Sequence, residues 1–309
     1  MLANAGILQD VEEPIPGPPV VPKTSQERAA FGCACLQFNV KRGDVSHNRQ
    51  LAMDGLHAAA TAGAKLVVLP ELWTTSFVKE ISDTLVAASL AAEADVCQLS
   101  GELGLVVVGG GIEASEGQFY NRAQLFDHGR SLGSYRKMHL FSPIAESRLV
   151  SAGDQPLVAD TSVGRVGVAI CYDIRFPELC RYYFCQDAEV LAVPSQWPEA
   201  RSTHWRTLLK ARAIENQLFV VGCNRTGSET SLKHGDALHF PGDSRIIDPM
   251  GETISGGAGE DEPILGEIAP RKVKSMRRIL PIDKDRRPEI YGKFWGDAWH
   301  GTPVSQRRP

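Results

Sequence analysis

Short apolar runs that end abruptly at a polar residue recur along this chain of 309 residues, and segments with helical spacing separate them. Such runs, rich in Val, Leu and Ile, are typical of buried β-strands. Three of them cover residues 65–69, 105–108 and 166–170. Leu and Ala at helical spacing predict a helix over residues 48–62, and an Ala-rich segment predicts another over residues 84–101. Strands that alternate with helices throughout predict one α/β domain.

The same patterns place the remaining elements. Further strands are predicted at residues 31–40, 123–126, 130–135, 157–160, 190–193, 217–223, 244–247, 252–254 and 264–268. Further helices are predicted at residues 177–186 and 204–216, and a loop at residues 228–242. We expect residues 1–29, which contain five prolines and show no period, to form an extended or disordered arm. The folded domain is predicted at residues 30–290 and a C-terminal tail at 291–309, since the chain beyond Pro270 is basic and contains further prolines.

Composition excludes several classes of protein. Hydrophobic residues make up 43% of the chain and charged residues 23%, and the net charge is −4 without any block of Lys and Arg. This balance argues against nucleic acid or an anionic membrane as a partner. No apolar run reaches the roughly 18 residues of a membrane-spanning helix, and no secretory signal is visible at the N-terminus. The seven cysteines include no CxxC pair, which argues against a zinc site or a disulfide framework. We therefore predict a cytoplasmic protein.

Three polar residues that follow predicted strands form a chemically coherent set. Glu71 follows one strand through Pro70, Lys137 follows another, and Cys171 ends the run at 166–170. Taken singly, they could be a solvated carboxylate, a surface lysine and a buried thiol. Together they could attack a carbonyl or nitrile carbon: the thiolate as nucleophile, the carboxylate as base, and the ammonium as stabiliser of the oxyanion. Serine–histidine machinery is the competing design, but the histidines of this chain do not fall in a recognisable triad setting.

The segments around these residues resemble a known family. LPELW at 69–73, YRKMHLF at 135–141 and ICYDIRFPE at 170–178 are similar to the three signatures of the nitrilase (carbon–nitrogen hydrolase) superfamily. The resemblance implies an α-β-β-α sandwich that dimerises to αββα–αββα. It also implies Glu71 as general base, Lys137 as oxyanion stabiliser and Cys171 as nucleophile, with Glu146 supporting the lysine and the substrate. The implied reaction needs no metal or cofactor, passes through a thioester and releases ammonia.

A finer resemblance narrows the substrate. Residues 196–227 and 241–252 are similar to bacterial omega-amidases, which hydrolyse 2-oxoglutaramate or 2-oxosuccinamate. Such a substrate carries a carboxylate, for which Arg175 and Arg201 are candidate partners. For Arg175, a structural salt bridge with Asp173 or Glu178 is an equal alternative.

Two aromatic residues complete the predicted site. Trp197 is expected to form a wall of the pocket, with core packing as an equal alternative. Tyr172 is expected to act mainly through its backbone, because its N–H follows the nucleophile. His139 and His204 are predicted to be structural.

Several alternatives remain open. A deaminated-glutathione amidase, an N-carbamoyl amide hydrolase and a nitrilase would all use the same three residues. A catalytically silent scaffold with the same fold is an alternative of another class. The loop at 228–240 is longer than in the bacterial omega-amidases, so the exact substrate stays open.

Overall fold

The computed structural model describes residues 28–233, 235–259 and 263–299 of the chain. The predicted N-terminal arm therefore lies outside the described residues, except for its last two positions. Within the described ranges, no helix is both long enough and apolar enough to cross a lipid bilayer.

Two sheets of seven strands each form the centre of the molecule. The strands are β1 (Phe31–Leu36), β2 (Ala64–Val68), β3 (Val106–Gly109), β4 (Ile112–Ser115), β5 (Gln118–Asp127), β6 (Arg130–Arg136), β7 (Leu157–Thr161), β8 (Gly164–Val168), β9 (Val190–Ser195), β10 (Phe219–Asn224), β11 (Thr226–Thr230), β12 (Ala237–Ile247), β13 (Thr253–Ala258) and β14 (Pro263–Ile268). The first sheet has the order β14-β1-β2-β3-β5-β4, with β6 also paired to β5. The second has the order β11-β12-β10-β9-β8-β7, with β13 also paired to β12.

Seven helices accompany the sheets in the described part of the chain. They are α1 (Val45–Thr61), α2 (Asp83–Leu103), α3 (Pro177–Cys185), α4 (Ser202–Asn216), α5 (Pro270–Ile279), α6 (Ile282–Asp285) and α7 (Pro288–Trp299). Side chains that cap helices agree with the sequence pattern. The Ser82 side chain accepts a hydrogen bond from the backbone N–H of Leu85 at the start of α2, and Gly104 ends that helix with a φ of 63°.

Alternation along the strands explains the layers. In β2, Leu66 and Val68 point into the core between the two sheets, whereas Val67 points towards α1 and α2. On the second sheet, the lack of a side chain at Gly167 makes room for the ring of Tyr183 from α3. The order of layers is helices, sheet, sheet, helices, so the predicted four-layer sandwich is confirmed. Dimerisation remains a prediction.

The structure corrects the sequence-based elements in three places. Residues 228–242, predicted as a loop, belong largely to a hairpin of β11 and β12. Strand β4 was not predicted at all. After Pro270 the described chain forms three helices that were not predicted, whereas the boundaries of the domain at residues 30 and 290 remain a prediction.

Candidate active site

The three residues singled out in the sequence lie where strands of both sheets end. Glu71 follows β2 through Leu69 and Pro70, Lys137 directly follows β6, and Cys171 follows β8 after two residues. The first two side chains are almost completely buried, and the Cys171 residue is 8% exposed. Burying ionic groups is costly, and even a paired buried ion adds little net stability. A buried cluster of ionisable groups therefore indicates a functional site.

Lys137 lies between two carboxylates. Its Nζ atom donates to Glu71 Oε1 at 2.7 Å and to Glu146 Oε2 at 2.9 Å. The Asn121 amide donates to both carboxylates, at 2.8 Å and 2.9 Å. The Phe141 N–H donates to Glu146 Oε2 at 2.7 Å, the same oxygen that accepts from Lys137 at 2.9 Å. The structure thus brings Glu146 to the lysine, as the family resemblance implied.

This arrangement changes the pKa values of the buried groups. Burial raises the pKa of Glu71, and the charge of Glu146 adds to that rise, while Lys137 opposes it. Burial alone would lower the pKa of Lys137, but Glu146 and Glu71 outweigh it and raise that pKa well above its usual value. Lys137 therefore stays charged, and Glu71 is a stronger base than a solvated carboxylate.

The Cys171 thiol belongs to the same electrostatic group. Burial and the Glu71 carboxylate raise the pKa of Cys171 well above its usual value, while Lys137 and the backbone N–H of Gln196 oppose the rise. A neutral thiol beside a carboxylate of raised pKa is suited to losing its proton at the moment of attack.

Hydrogen bonds to the Asp173 side chain fix the turn that begins at Cys171. Cys171 has a φ of 48°, in the left-handed region that is uncommon for residues other than glycine. The buried Asp173 carboxylate accepts from the backbone N–H of Ile170 at 2.8 Å and from the hydroxyl of Tyr135 at 2.8 Å. It also accepts from the backbone N–H of His139 at 3.0 Å. These bonds fix the short 3-10 turn whose first residue is the nucleophile.

Gln196 connects the two sheets at the site. Its backbone N–H donates to Glu71 Oε2 at 3.0 Å and also interacts with the Cys171 thiol. Its side-chain amide donates to the backbone carbonyl of Glu71 at 2.8 Å. Gln196 thus holds the candidate base at two points.

A rim of two arginines and several aromatic rings lies beside the 3-10 turn Cys171–Arg175. The Arg175 guanidinium lies 4.9 Å from the ring centre of Trp197 and 5.8 Å from that of Tyr172. Its Nη2 atom is 3.1 Å from Nδ1 of His204. The Arg201 guanidinium lies 5.7 Å from the ring of Phe141. The Trp197 indole N–H donates to the Arg201 carbonyl at 2.8 Å, so the tryptophan packs within the rim.

The alternative of a structural salt bridge for Arg175 is not what the structure shows. Across the described residues, neither Arg175 nor Arg201 forms an ion pair with a carboxylate. The Asp173 carboxylate faces His139 and Tyr135 instead. Two half-buried guanidinium groups near the nucleophile are therefore available to a carboxylate from outside the chain.

The sequence reasoning missed three residues of this site. Asn121 and Gln196 contact the candidate base, and the ring of Phe77 lies 5.8 Å from the Lys137 ammonium. Gln196 opens the segment that resembles the omega-amidases, which was a usable signal. For Asn121 and Phe77 the sequence offered none, because their positions depend on strand register and loop path. Across the described ranges, no group of three or more His, Cys, Asp or Glu residues is arranged to hold a metal ion.

Comparison with known proteins identifies the family. Residues 32–278 match the carbon-nitrogen hydrolase family, and the chain belongs to it. A 2-oxoglutaramate amidase of Bacillus subtilis is 33% identical over 261 residues, which are 84% of this chain and 98% of the relative. A deaminated glutathione amidase of Synechocystis is also 33% identical, over 80% of this chain and 95% of the relative.

Solved structures agree with this assignment. A CN-hydrolase superfamily protein of Xanthomonas campestris, with an arsenic adduct in its active site, superposes with a TM-score of 0.72 at 27% identity. The match covers 84% of this chain and 98% of that one. The chain is therefore a carbon–nitrogen hydrolase that acts on amides.

Proposed function

We propose that the chain hydrolyses the omega-amide of a small 2-oxo dicarboxylate, 2-oxoglutaramate or 2-oxosuccinamate, through a thioester on Cys171. The observation that carries the proposal is the combination of a buried Glu71–Lys137–Cys171 group with the guanidinium groups of Arg175 and Arg201, which form no ion pair with a carboxylate among the described residues. The Glu71–Lys137–Cys171 group can hydrolyse an amide, and the two guanidinium groups can bind the carboxylate of such a substrate.

The first half of the reaction forms the thioester. The Cys171 sulfur attacks the amide carbon while its proton passes to Glu71. The oxyanion that develops on the former carbonyl oxygen is stabilised by the Lys137 ammonium and by the backbone N–H of Tyr172. Glu71 then gives the proton to the amide nitrogen, the C–N bond breaks, and ammonia leaves.

The second half returns the enzyme to its starting state. Glu71 takes a proton from a water molecule, whose oxygen attacks the thioester carbon. The C–S bond breaks and Glu71 returns the proton to the Cys171 sulfur. The product leaves as a 2-oxo dicarboxylate once its new carboxyl group has lost its proton to solvent. Glu146 accepts hydrogen bonds from Lys137 and keeps the ammonium directed at the oxyanion.

A deaminated-glutathione amidase is the second candidate. The relative with that name from Synechocystis is as similar in identity as the 2-oxoglutaramate amidase from Bacillus subtilis. Both substrates carry carboxylates, so the arginines alone do not separate them. The larger substrate would need room beyond Arg175 and Arg201 for the rest of the deaminated peptide.

The test is ammonia release over a panel of amides. The panel contains 2-oxoglutaramate, 2-oxosuccinamate, deaminated glutathione, an N-carbamoyl amino acid and a nitrile. We expect the highest kcat/KM with one of the two 2-oxo amides, and no ammonia from any compound with Cys171→Ala. Preference for deaminated glutathione would overturn the substrate, and activity of the Cys171→Ala variant would overturn the mechanism.

Assembly and location complete the proposal. The outer faces of α3 and α4 expose Tyr182 and Ile214, at 40% and 49%. Apolar residues at such positions support a homodimer that packs through these helices. Light scattering with size-exclusion chromatography should give twice the chain mass, and Ile214→Glu should lower it to one chain. A cytoplasmic location remains a prediction.

A further inference from the structure

A buried arginine lies behind the candidate site and is not one of its reacting groups. Arg225 lies between β10 and β11, and its residue is only 1% exposed. Its Nη2 atom donates to the carbonyl of Val40 at 2.5 Å and to the Asn39 side chain at 3.1 Å. These bonds attach the guanidinium to the segment that follows β1, in the other sheet.

The other side of the same guanidinium faces the site. Its Nη1 atom donates to Gln196 Oε1 at 3.1 Å, to Ser76 Oγ at 3.0 Å and to Glu229 Oε2 at 3.0 Å. The Glu229 carboxylate balances the buried positive charge. Arg42 approaches Glu229 Oε1 at 3.1 Å and donates to the carbonyl of Thr230 at 2.8 Å, and within the described ranges it forms no hydrogen bond with Gln196.

Gln196 transmits this attachment to the reacting groups. Its Oε1 atom is held by Arg225, and its Nε2 atom donates to the carbonyl of Glu71 at 2.8 Å. Its side chain is therefore held at both ends. Its backbone N–H donates to Glu71 Oε2 at 3.0 Å and also favours the thiolate form of Cys171. One backbone N–H thus influences both the base and the nucleophile.

We propose that Arg225 is a positioning residue, which acts through Gln196 to keep this N–H aligned with Glu71 and Cys171. It touches neither the substrate nor the reacting atoms, and its role rests on the proposed function. Catalysis is sensitive to such alignment, since a displacement of about 1 Å can cost about a hundredfold in rate.

The charged groups around the Cys171 thiol determine how fast it is alkylated, which makes the alkylation rate a test of this role. Glu71 and Lys137 lie beside Cys171, with Glu146 behind the lysine. The Gln196 N–H and the lysine favour the thiolate, whereas burial and the Glu71 charge disfavour it. Misalignment of the N–H should raise the pKa of Cys171, so less thiolate is present at a given pH and alkylation slows.

Arg225→Lys is the first test, because one ammonium cannot reach both Val40 and Gln196. We expect kcat for 2-oxoglutaramate to fall about ten- to a hundredfold with KM within about threefold. Alkylation of Cys171 by iodoacetamide at pH 8, followed on the Cys171 peptide by mass spectrometry, should slow about three- to tenfold. Arg42→Lys is the matched control, since it weakens the same Glu229 ion pair without touching Gln196. It should keep wild-type kcat and labelling.

Gln196→Met keeps the inference testable if Arg225→Lys does not fold. This variant keeps the backbone N–H and the side-chain size but loses both amide contacts, and it should show the same two changes. Wild-type labelling in whichever variant folds would overturn the proposal, even if kcat fell. The same loss in Arg42→Lys would also overturn it. If the wild-type chain ignores 2-oxoglutaramate, the proposed function fails, whereas the labelling rates still decide the role of Arg225.

Discussion

Replacing Glu146 with Gln should disable the site while preserving its shape. The carboxylate oxygens of Glu146 accept two bonds from Lys137 and one each from Asn121 and the Phe141 N–H. A glutamine has one accepting oxygen, and in either orientation its NH₂ group would face the Lys137 ammonium and a second donor, the Asn121 amide or the Phe141 N–H. At least one charge-assisted bond is lost, at about 1.5–3 kcal/mol each.

The size of both losses, in stability and in kcat, depends on the contacts that Lys137 retains in Glu146→Gln. Glu71 still pairs with the ammonium at 2.7 Å, so the buried charge is not left alone. We therefore expect Glu146→Gln to cost about 2–3 kcal/mol of folding free energy, rather than the larger cost of an unpaired buried charge. The lysine is directed less well at the oxyanion, and kcat should fall about a hundredfold, which corresponds to about 2.7 kcal/mol.

The pH profile gives a second, signed result. The charge of Glu146 helps to raise the pKa of Glu71, so its removal lowers that pKa. Glu71 must be deprotonated to accept the thiol proton, and it then remains deprotonated to lower pH. The acid limb of kcat/KM should therefore move to lower pH in Glu146→Gln.

The assay is ammonia release from 2-oxoglutaramate between pH 5 and 9, with urea unfolding on the same samples. Glu113→Gln is the control, because Glu113 pairs with Arg136 at 2.7 Å outside this cluster. It should leave both kcat and the acid limb close to those of the wild type. An acid limb that stays in place or moves to higher pH in Glu146→Gln would refute the electrostatic reasoning. An unchanged kcat would refute the role of Glu146.

Three further predictions address recognition and stability. Arg175→Met should raise KM for 2-oxoglutaramate about tenfold or more, because this substrate has a carboxylate to bind, and should leave kcat/KM for an uncharged amide within about threefold of the wild type. Equal losses for both amides would contradict this role of Arg175. Gly110→Ala should destabilise the fold by about 2–4 kcal/mol in urea unfolding, since its Cβ would lie 2.0 Å from the carbonyl oxygen of Arg122; wild-type stability would show that the close approach is not rigid. Burial alone would raise the pKa of Asp127, but His128 and Ser162 outweigh burial and lower that pKa. Asp127→Asn should therefore cost about 1–2 kcal/mol of folding free energy at pH 7, and less as the pH falls through the folded-state pKa; a cost that does not change with pH would contradict this reasoning.

Strand-terminal positions explain why much of the site was visible in the sequence. Glu71, Lys137 and Cys171 each follow an apolar run, and the carboxyl ends of such strands are where α/β folds gather functional groups. The family resemblance added Glu146, whose position in an irregular segment carries no local signal. The order of strands and helices followed from periodicity in the same way.

Other features depend on contacts between distant residues. Gln196 contacts Glu71 because the sandwich brings one sheet against the other, and its only sequence signal was the resemblance of its segment to the omega-amidases. Asn121 contacts Glu71 across the first sheet, and no local pattern marks it. The β11–β12 hairpin was missed because β11 consists only of Thr, Gly, Ser and Glu, and because Pro241 and Gly242 interrupt the apolar pattern of β12. The choice of partner for Arg175 was open because a substrate carboxylate and the neighbouring Asp173 or Glu178 were equally compatible with its position in the sequence.

The central claim is that Cys171 forms the covalent intermediate. Wild-type enzyme mixed with 2-oxoglutaramate and quenched in acid within milliseconds should show a mass increase equal to the substrate minus ammonia, located on the peptide that contains Cys171. The Cys171→Ala variant should show neither the adduct nor ammonia release. Ammonia formed at the wild-type rate by that variant, or an adduct on another of the seven cysteines, would contradict the account.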